Sequence, residues 1–190
     1  MVSTNSCVVG IDYSTSSPCI CISAGDDYDF HYLTKVKKHV GEKEFDHGII
    51  EGTYLPKQFD SKIEQYSFIA NWAIDVLDRY TPEVVWLEDY AFAATGKVFH
   101  IGENTGILKY RLMKREIPYR VVAPTTVKSS TIGKGNASKD DVIQNFNRVF
   151  QTNIYDVVDT STMNPVSDIA DSYHICIYGI QQLITEHFNI

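Results

Sequence analysis

The sequence predicts a single α/β domain over residues 1–190, in which a mixed central sheet of about five strands is flanked by helices. Short apolar runs separated by turn residues come first. Segments with apolar residues at three- and four-residue steps then alternate with further apolar runs. At 190 residues and 44% hydrophobic, the chain is long enough for one well-filled core, and no repeat or linker divides it.

The N-terminal third predicts three consecutive strands. The run "CVVGIDYS" is continuously apolar up to Asp12, as in a buried central strand, and "PCICIS" follows as the second strand. The turn residues "AGDD" then lead to "YDFHYLT", which alternates like a half-buried strand. Short turns between them favour an antiparallel meander. For the mixed, charged segment from Lys35 to Phe59, the sequence predicts no more than a short strand or an excursion of the chain.

Helices and strands alternate in the remainder of the chain. Helical spacing of apolar residues predicts helices over residues 61–80, 98–112 and 138–149. The strands "EVVWLEDY" and "IPYRVVAP" lie between them, and a capping box of Ser138 and Asp141 opens the third helix. A final helix is predicted to begin at Ser167 as its N-cap, after the helix-breaking pair Asn164-Pro165.

Charge is distributed unevenly along an acidic chain of net charge −7. Residues 90–150 contain ten Lys and Arg against four Asp and Glu, a net charge of +6. The remainder contains seven against twenty, a net charge of −13. A basic segment in an acidic protein is compatible with one face that meets a polyanion, although chance fluctuation is the alternative.

Cysteine spacing and hydropathy point to an intracellular, non-membrane protein. No apolar run approaches the roughly 20 residues that a membrane span needs, and the first residues show no signal-peptide pattern. The four cysteines lie in or beside apolar runs and have no C-x-x-C spacing, so we expect buried thiols in a reducing compartment.

The last predicted helix carries two acids near its start. Asp168 and Asp171 are three residues apart, so both lie on one face. Acids at a helix start are usually caps that complement the helix dipole. His174, one turn further on, fits a helix histidine with a hydrogen-bond partner better than a metal neighbour.

Two further acids end predicted strands. Asp12 ends the first strand and Glu88 ends the fourth, although the adjacent Asp89 is an alternative to Glu88. If the two strands are parallel neighbours, both carboxylates emerge at the carboxyl edge of the sheet, where open α/β sheets place their sites. Together with Asp168 and Asp171 they form a set of oxygen donors suited to Mg²⁺, shared by two ions.

Four blocks of the chain resemble, in order and spacing, the RuvC family of Holliday-junction resolvases, phage-type members included. The blocks are "VVGIDYSTSS", "VVWLEDYAF", "APTTVKSSTIGKGNASKDDV" and "SDIADSYHI". The resemblance implies an RNase H-like fold and a homodimer that cuts branched DNA with Mg²⁺ or Mn²⁺. It also implies that Asp12, Glu88, Asp168 and Asp171 are catalytic metal ligands. We therefore expect a protein of the bacterial cytoplasm, or of the host cytoplasm if it is phage-encoded.

The same resemblance implies contacts with DNA. They would come from basic residues that meet phosphates and from aromatic residues after Glu88, one of which stacks on unpaired bases: Lys97, Lys128, Lys134, Lys139, Tyr90 and Phe92. Lys139, beside the helix cap, is expected nearest the scissile phosphate. The helix from Val98 to Glu116 is expected in the dimer interface.

The sequence leaves other functions open. "GIDYSTS" also resembles the phosphate loop of actin-like sugar kinases, but those need a duplicated domain and a longer chain. "TIGKGNASK" does not match the P-loop pattern. A broader fork and flap nuclease is the second hypothesis. A catalytically silent junction-binding protein is the third, and clustered carboxylates near phosphates argue against it.

Overall fold

The computed structural model describes residues 7–89 and 98–188 and contains one seven-stranded mixed sheet. Its strands are β1 (Val8–Asp12), β2 (Cys19–Ala24), β3 (Asp27–Thr34), β4 (Gly41–Phe45), β5 (Gly48–Tyr54), β6 (Val84–Glu88) and β7 (Tyr119–Val122). Their order across the sheet is β4-β5-β3-β2-β1-β6-β7. The prediction of a mixed sheet is confirmed, although the described residues contain two strands more than the five expected.

The centre of the sheet follows the sequence prediction. Strands β1, β2 and β3 form an antiparallel meander. Strand β6 pairs with β1 in parallel, with Ile11 opposite Leu87, and β7 continues the parallel arrangement beyond β6. Asp12 and Glu88 therefore lie side by side at the carboxyl edge.

The two additional strands come from the mixed, charged segment, for which the sequence predicts little structure. Strand β5 pairs in parallel with β3, and β4 pairs antiparallel with β5 at the outer edge. The insertion is tied down by Lys38 and Lys43, whose Nζ atoms donate to the carbonyls of Asp159 and Val158 at 3.0 and 2.6 Å. In strand β4, "GEKEF", only Lys43 and Phe45 are half-buried and the other residues are exposed, so its sequence shows no apolar period.

Six helices complete the described fold: α1 (Lys62–Leu77), α2 (Val98–Lys114), α3 (Pro124–Ile132), α4 (Lys139–Phe150), α5 (Ile154–Val158) and α6 (Met163–Phe188). The predicted capping box at Ser138 is present. The sequence predicts no helix where α3 lies, because only Val127 of its residues is buried and one residue makes no stripe. The short α5 lies between the third predicted helix and the last one, where the sequence predicts no helix.

Helix α6 begins earlier than the sequence predicts. Asn164 has extended dihedral angles, φ −92° and ψ 136°, so the regular helix starts at Pro165. Proline is favoured at a first helical position because it has no N–H to satisfy. Ser167 therefore lies within the first turn, and the prediction that it is the N-cap is wrong. Within the described residues, no helix has both the length and the apolar character needed to cross a membrane.

Two hydrophobic layers cover the sheet, and α6 lies closest to it. One layer holds Val9 and Ile11 against α1 and α2, and the other packs the opposite face against α3 to α6. A Cβ atom at Gly10 would lie 2.2 Å from the backbone nitrogen of Cys176. One at Gly179 would lie 2.4 Å from the ring of Trp86. These glycines let α6 lie directly on β1 and β6.

Candidate metal-binding active site

Strand geometry points Asp12 and Glu88 toward the same helix. Side chains alternate between the faces of a strand, so Asp12 shares its face with Val8 and Gly10. Glu88 shares its face with Trp86, which packs against α6. Both carboxyls thus face α6. Asp89 is one residue further along the chain, so the alternation assigns it to the opposite face. The geometry favours Glu88 over Asp89 as the partner of Asp12.

The close packing of α6 brings its two acids to the strand ends. Burial raises the pKa of Asp12 well above its ordinary range, and repulsion from Glu88, Asp168 and Asp171 raises it further. All three other carboxyls are therefore close enough to act on Asp12. The structure gathers the four acids that the sequence draws from three distant segments.

Each of the other three carboxyls also resists ionisation. Burial raises the pKa of Glu88 to about 7, and repulsion from Asp171 is the next cause. Burial raises the pKa of Asp171 to about 6, and it also raises the pKa of Asp168 above its ordinary value. An ionised carboxylate out of water is unfavourable unless a cation or hydrogen bonds compensate it.

Helix capping does not account for Asp168 and Asp171. With the regular helix starting at Pro165, they are its fourth and seventh residues, whereas free N–H groups belong to the first turn. The Oδ1 atom of Asp168 accepts from Ser167 Oγ at 3.4 Å. Its Oδ2 atom is buried without a hydrogen-bond partner among the described residues. A buried carboxylate oxygen of this kind is a free ligand position.

The chemistry of this acidic cluster (Asp12, Glu88, Asp168 and Asp171) suits a hard divalent cation. Mg²⁺ and Mn²⁺ take oxygen ligands, and the charge of the ion would remove the repulsion that raises these pKa values. In the described residues, no three His, Cys, Asp or Glu side chains already converge tightly enough to hold an ion. The donor set therefore fits a hard cation in the type of its ligand atoms and in its location at one edge of the sheet, without forming a closed coordination shell among the described residues.

Lys139 and Lys128 lie beside the acidic cluster, whereas Lys134, the third lysine of this segment expected to meet DNA, does not. Lys139 Nζ is 3.5 Å from Ser167 Oγ, and its charge opposes the rise in pKa of all four acids. Lys128 acts in the same way on Glu88 and Asp171, while its Nζ donates to the carbonyl of Ala137 at 3.0 Å. Lys134 pairs instead with Asp141 at 3.1 Å on the surface.

Other residues singled out in the sequence have different outcomes. Tyr90, Phe92 and Lys97 lie outside the described residues. His174 is buried, and burial lowers its pKa to about 4. A hydrogen bond with the backbone of Val142 opposes this shift, as expected of a helix histidine that has a structural partner.

A cleft of about 580 Å³ opens beside the acidic cluster. Asp12 and Glu88 line it together with residues that sequence reasoning does not select: Ser14, Thr15, Ser16, Lys62, His100 and Thr105. Ser14, Thr15 and Ser16 lie in the loop directly after Asp12, and Gln65 Nε2 anchors this loop by donating to the carbonyl of Thr15 at 2.9 Å. The hydroxyl-rich run after a strand-end acid is the signal by which the sequence could have pointed to them.

The family relationship follows from comparison with known sequences. Residues 44–180 match the family model described as "Crossover junction endodeoxyribonuclease RuvC". The chain belongs to the RuvC family. The matched residues include Glu88, Asp168 and Asp171 but begin after Asp12. The crossover junction endodeoxyribonuclease RuvC of Chlamydia abortus is 31% identical over 119 residues, which are 62% of this chain and 68% of the relative. Its counterpart in Chlamydia caviae is 32% identical and covers 62% and 67%.

The fold is similar to those of solved RuvC structures and of a related resolvase. Thermus thermophilus RuvC in complex with a Holliday-junction substrate aligns with a TM-score of 0.57 at 16% identity, over 91% of each chain. The yeast mitochondrial Holliday-junction resolvase aligns with a TM-score of 0.58 at 16% identity, over 90% of this chain and 76% of that one. The fold is therefore RNase H-like, as the RuvC resemblance implied.

Proposed function

We propose that this RuvC-family chain, folded as one domain, is a structure-specific endonuclease that resolves Holliday junctions by paired phosphodiester hydrolysis. The observation that carries the proposal is the gathering of Asp12, Glu88, Asp168 and Asp171 at one sheet edge, in a chain related to crossover junction endodeoxyribonucleases. The site of action is the cytoplasm, bacterial or that of a phage host, where junction DNA is present.

The acidic cluster is the proposed ligand set for two Mg²⁺ or Mn²⁺ ions. When bound, the ions supply Lewis-acid chemistry for phosphodiester hydrolysis and neutralise the four carboxylates. The buried Oδ2 atom of Asp168 is available as a ligand atom, and hydrogen bonds from Ser17 and Ser167 favour the ionised form of this carboxyl. Lys139 and Lys128 lie where they attract the phosphate to be cut. Charge from an ammonium group next to the cluster also offsets repulsion between carboxylates and the DNA backbone.

Branched DNA and a second copy of the chain are the proposed partners. One of Tyr90 and Phe92 is the proposed stacking residue, with Lys97 and Lys134 as further phosphate contacts. Helix α2 supports a homodimer, because the large apolar side chains of Phe99, Tyr110 and Met113 are exposed on it. A dimer presents two acidic clusters, which is what paired cuts across a four-way junction require.

The test is cleavage of a synthetic mobile four-way junction by the wild type and by Asp171→Asn. We expect the wild type to cut with Mg²⁺ or Mn²⁺ and not with EDTA. Asp171→Asn should lose cleavage by about 100-fold or more, of the order that loss of one catalytic group produces. Its junction affinity should be retained or improved, because one negative charge near the phosphates is removed. The matched control is Asp140→Asn on the exposed first turn of α4, which should cut normally.

Two further measurements separate the alternatives. Mn²⁺ should raise the melting temperature of the wild type, since an ion that binds the folded state stabilises it, and Asp171→Asn should lose most of that rise. A fork substrate without a symmetric partner strand distinguishes a resolvase from a broader branched-DNA nuclease. Efficient fork cutting would favour the broader nuclease. Binding without any cutting would favour the silent binder, and full activity in Asp171→Asn would overturn the metal-ligand assignment.

A further inference from the structure

A second groove, of about 710 Å³, lies next to the cleft of the acidic cluster and is rich in lysine. Lys35, Lys57 and Lys62 line it, with Asp60 as the single acid in the lining. Lys57 and Lys62 are exposed, and in the described residues none of the three lysines forms an ion pair. Three unpaired cations in one groove stand out in a chain of net charge −7.

Sheet topology explains why these lysines lie on the same side of the molecule as the acidic cluster. Strands β3 and β5 run parallel to β1, because β2 is antiparallel to both β1 and β3, and β5 pairs in parallel with β3. Lys35 follows the carboxyl end of β3, and Lys57 follows that of β5. The insertion that adds β5 thus extends the carboxyl edge away from Asp12.

Lys62 connects the groove with the cleft, since it lines both. Its Nζ atom donates to Gln65 Oε1 at 3.3 Å. The amide of Gln65 in turn holds the loop after Asp12 through the carbonyl of Thr15. One buried glutamine therefore fixes the position of the lysine groove relative to the hydroxyl-rich loop of the cleft.

We infer that the groove formed by Lys35, Lys57 and Lys62 binds the phosphate backbone of a DNA arm beside the cut, which rests on the proposed nuclease function. Strands β3 and β5 are two and three places from β1 in the sheet, or roughly 10–14 Å at the usual strand spacing. At about 3.4 Å of rise per nucleotide, that distance corresponds to phosphates about three to four nucleotides from the scissile one.

The test measures junction affinity in EDTA, without cleavage, over a range of salt concentrations for Lys35→Ala/Lys57→Ala. Removal of each lysine that binds a phosphate should lower the slope of log affinity against log salt by about 0.9. The matched control is Lys37→Ala/Arg148→Ala, which removes the same charge from residues outside the groove lining and should keep nearly the wild-type slope. Melting temperatures of both variants should equal that of the wild type.

A substrate series locates the phosphates that the groove binds. Neutral methylphosphonates three to four nucleotides from the cut should weaken wild-type binding and leave the affinity of Lys35→Ala/Lys57→Ala unchanged. Equal weakening of both proteins, or equal slopes in the variant and its control, would overturn the groove assignment while junction binding by the wild type still supports the nuclease. A wild type that shows no preference for junctions would overturn both proposals.

Discussion

At the scale of single residues, the surroundings of the acidic cluster determine how readily its carboxyls ionise. Asp171 and Glu88 would be unremarkable as exposed acids, but burial and mutual repulsion raise their pKa values to about 6 and about 7. Their ionised forms are thus unfavourable in the folded protein until a cation is bound. The same property that prepares the site for a metal ion destabilises the metal-free fold near neutral pH.

We predict that the acidic cluster removes stability from the metal-free protein as pH rises from about 4 to about 7, whereas the lowered pKa of buried His174 adds stability over the same range. A carboxyl whose pKa is raised on folding binds its proton more tightly in the folded state. The contribution of Asp171 and Glu88 to the free energy of unfolding therefore falls as pH rises from the unfolded pKa, near 4, through the folded values of about 6 and 7, and then levels off. Chemical denaturation in EDTA across this pH range measures the fall.

Substitution separates the acidic cluster from other titrating groups. Asp171→Asn in EDTA should be more stable than the wild type at pH 8 and nearly equal to it at pH 4, whereas Asp140→Asn should follow the wild type. Mn²⁺ at pH 8 should recover stability in the wild type far more than in Asp171→Asn. The same pH dependence of stability in the wild type and in Asp171→Asn would contradict the prediction.

At the scale of elements, the site depends on how closely α6 approaches β1. Gly10 lies on the face of β1 that meets α6, two residues before Asp12, and the backbone of α6 occupies the space of a side chain. The carboxyls of Asp168 and Asp171 reach Asp12 only because the helix lies against the strand at this distance. A glycine outside the acidic cluster therefore contributes to the geometry of the site.

We predict that Gly10→Ala destabilises the protein by about 3 kcal/mol, the upper part of the usual range for overpacking, because its Cβ atom would overlap backbone atoms of α6. Thermal or chemical denaturation measures the change. The control is Gly102→Ala within α2, where an added Cβ meets no atom within 4 Å. Alanine there should raise stability by up to about 1 kcal/mol. An unchanged melting temperature for Gly10→Ala would show that α6 does not pack as described.

At the scale of the whole molecule, two surfaces formed by the described residues are suited to binding partners. The carboxyl edge of the sheet combines the acidic cluster with Lys128 and Lys139, and the lysine groove extends this edge. Helix α2 presents exposed apolar side chains beside a shallow groove lined by Ile63 and Ile107. One surface thus suits a polyanion and the other a second copy of the chain.

We predict that Tyr110→Glu/Met113→Glu converts a dimer into a monomer at micromolar concentration. Tyr110 and Met113 are 57% and 58% exposed, and burying introduced carboxylates in an interface is unfavourable. Sedimentation velocity, with and without junction DNA, measures the change. The control Val149→Glu/Ile184→Glu introduces the same charge at exposed apolar positions of α4 and α6 and should remain dimeric. A wild-type monomer under both conditions would refute the interface.

The sequence by itself determined most elements and the family. Continuous or alternating apolar residues mark β1, β2, β3 and β6, and the capping pair of Ser138 and Asp141 marks the start of α4. Such signals are local, because a buried strand or an amphipathic helix repeats its apolar side chains at its own period. The acids Asp12, Glu88, Asp168 and Asp171 can be selected from the sequence because they stand in blocks that resemble one family.

Tertiary structure alone decided what depends on contacts between distant segments. The pairing of β5 with β3 comes from long-range hydrogen bonds, which leave no regular apolar period in a mixed, charged insertion. The sequence named Lys139 as the lysine expected nearest the scissile phosphate, but only tertiary contacts show that Lys128 also acts on Glu88 and Asp171 and that Lys134 pairs with Asp141. The face that Glu88 presents follows from its register beside β1 and from the path of α6 over Gly10. Local preference sets the elements, and the packing of one element on another sets which side chains meet.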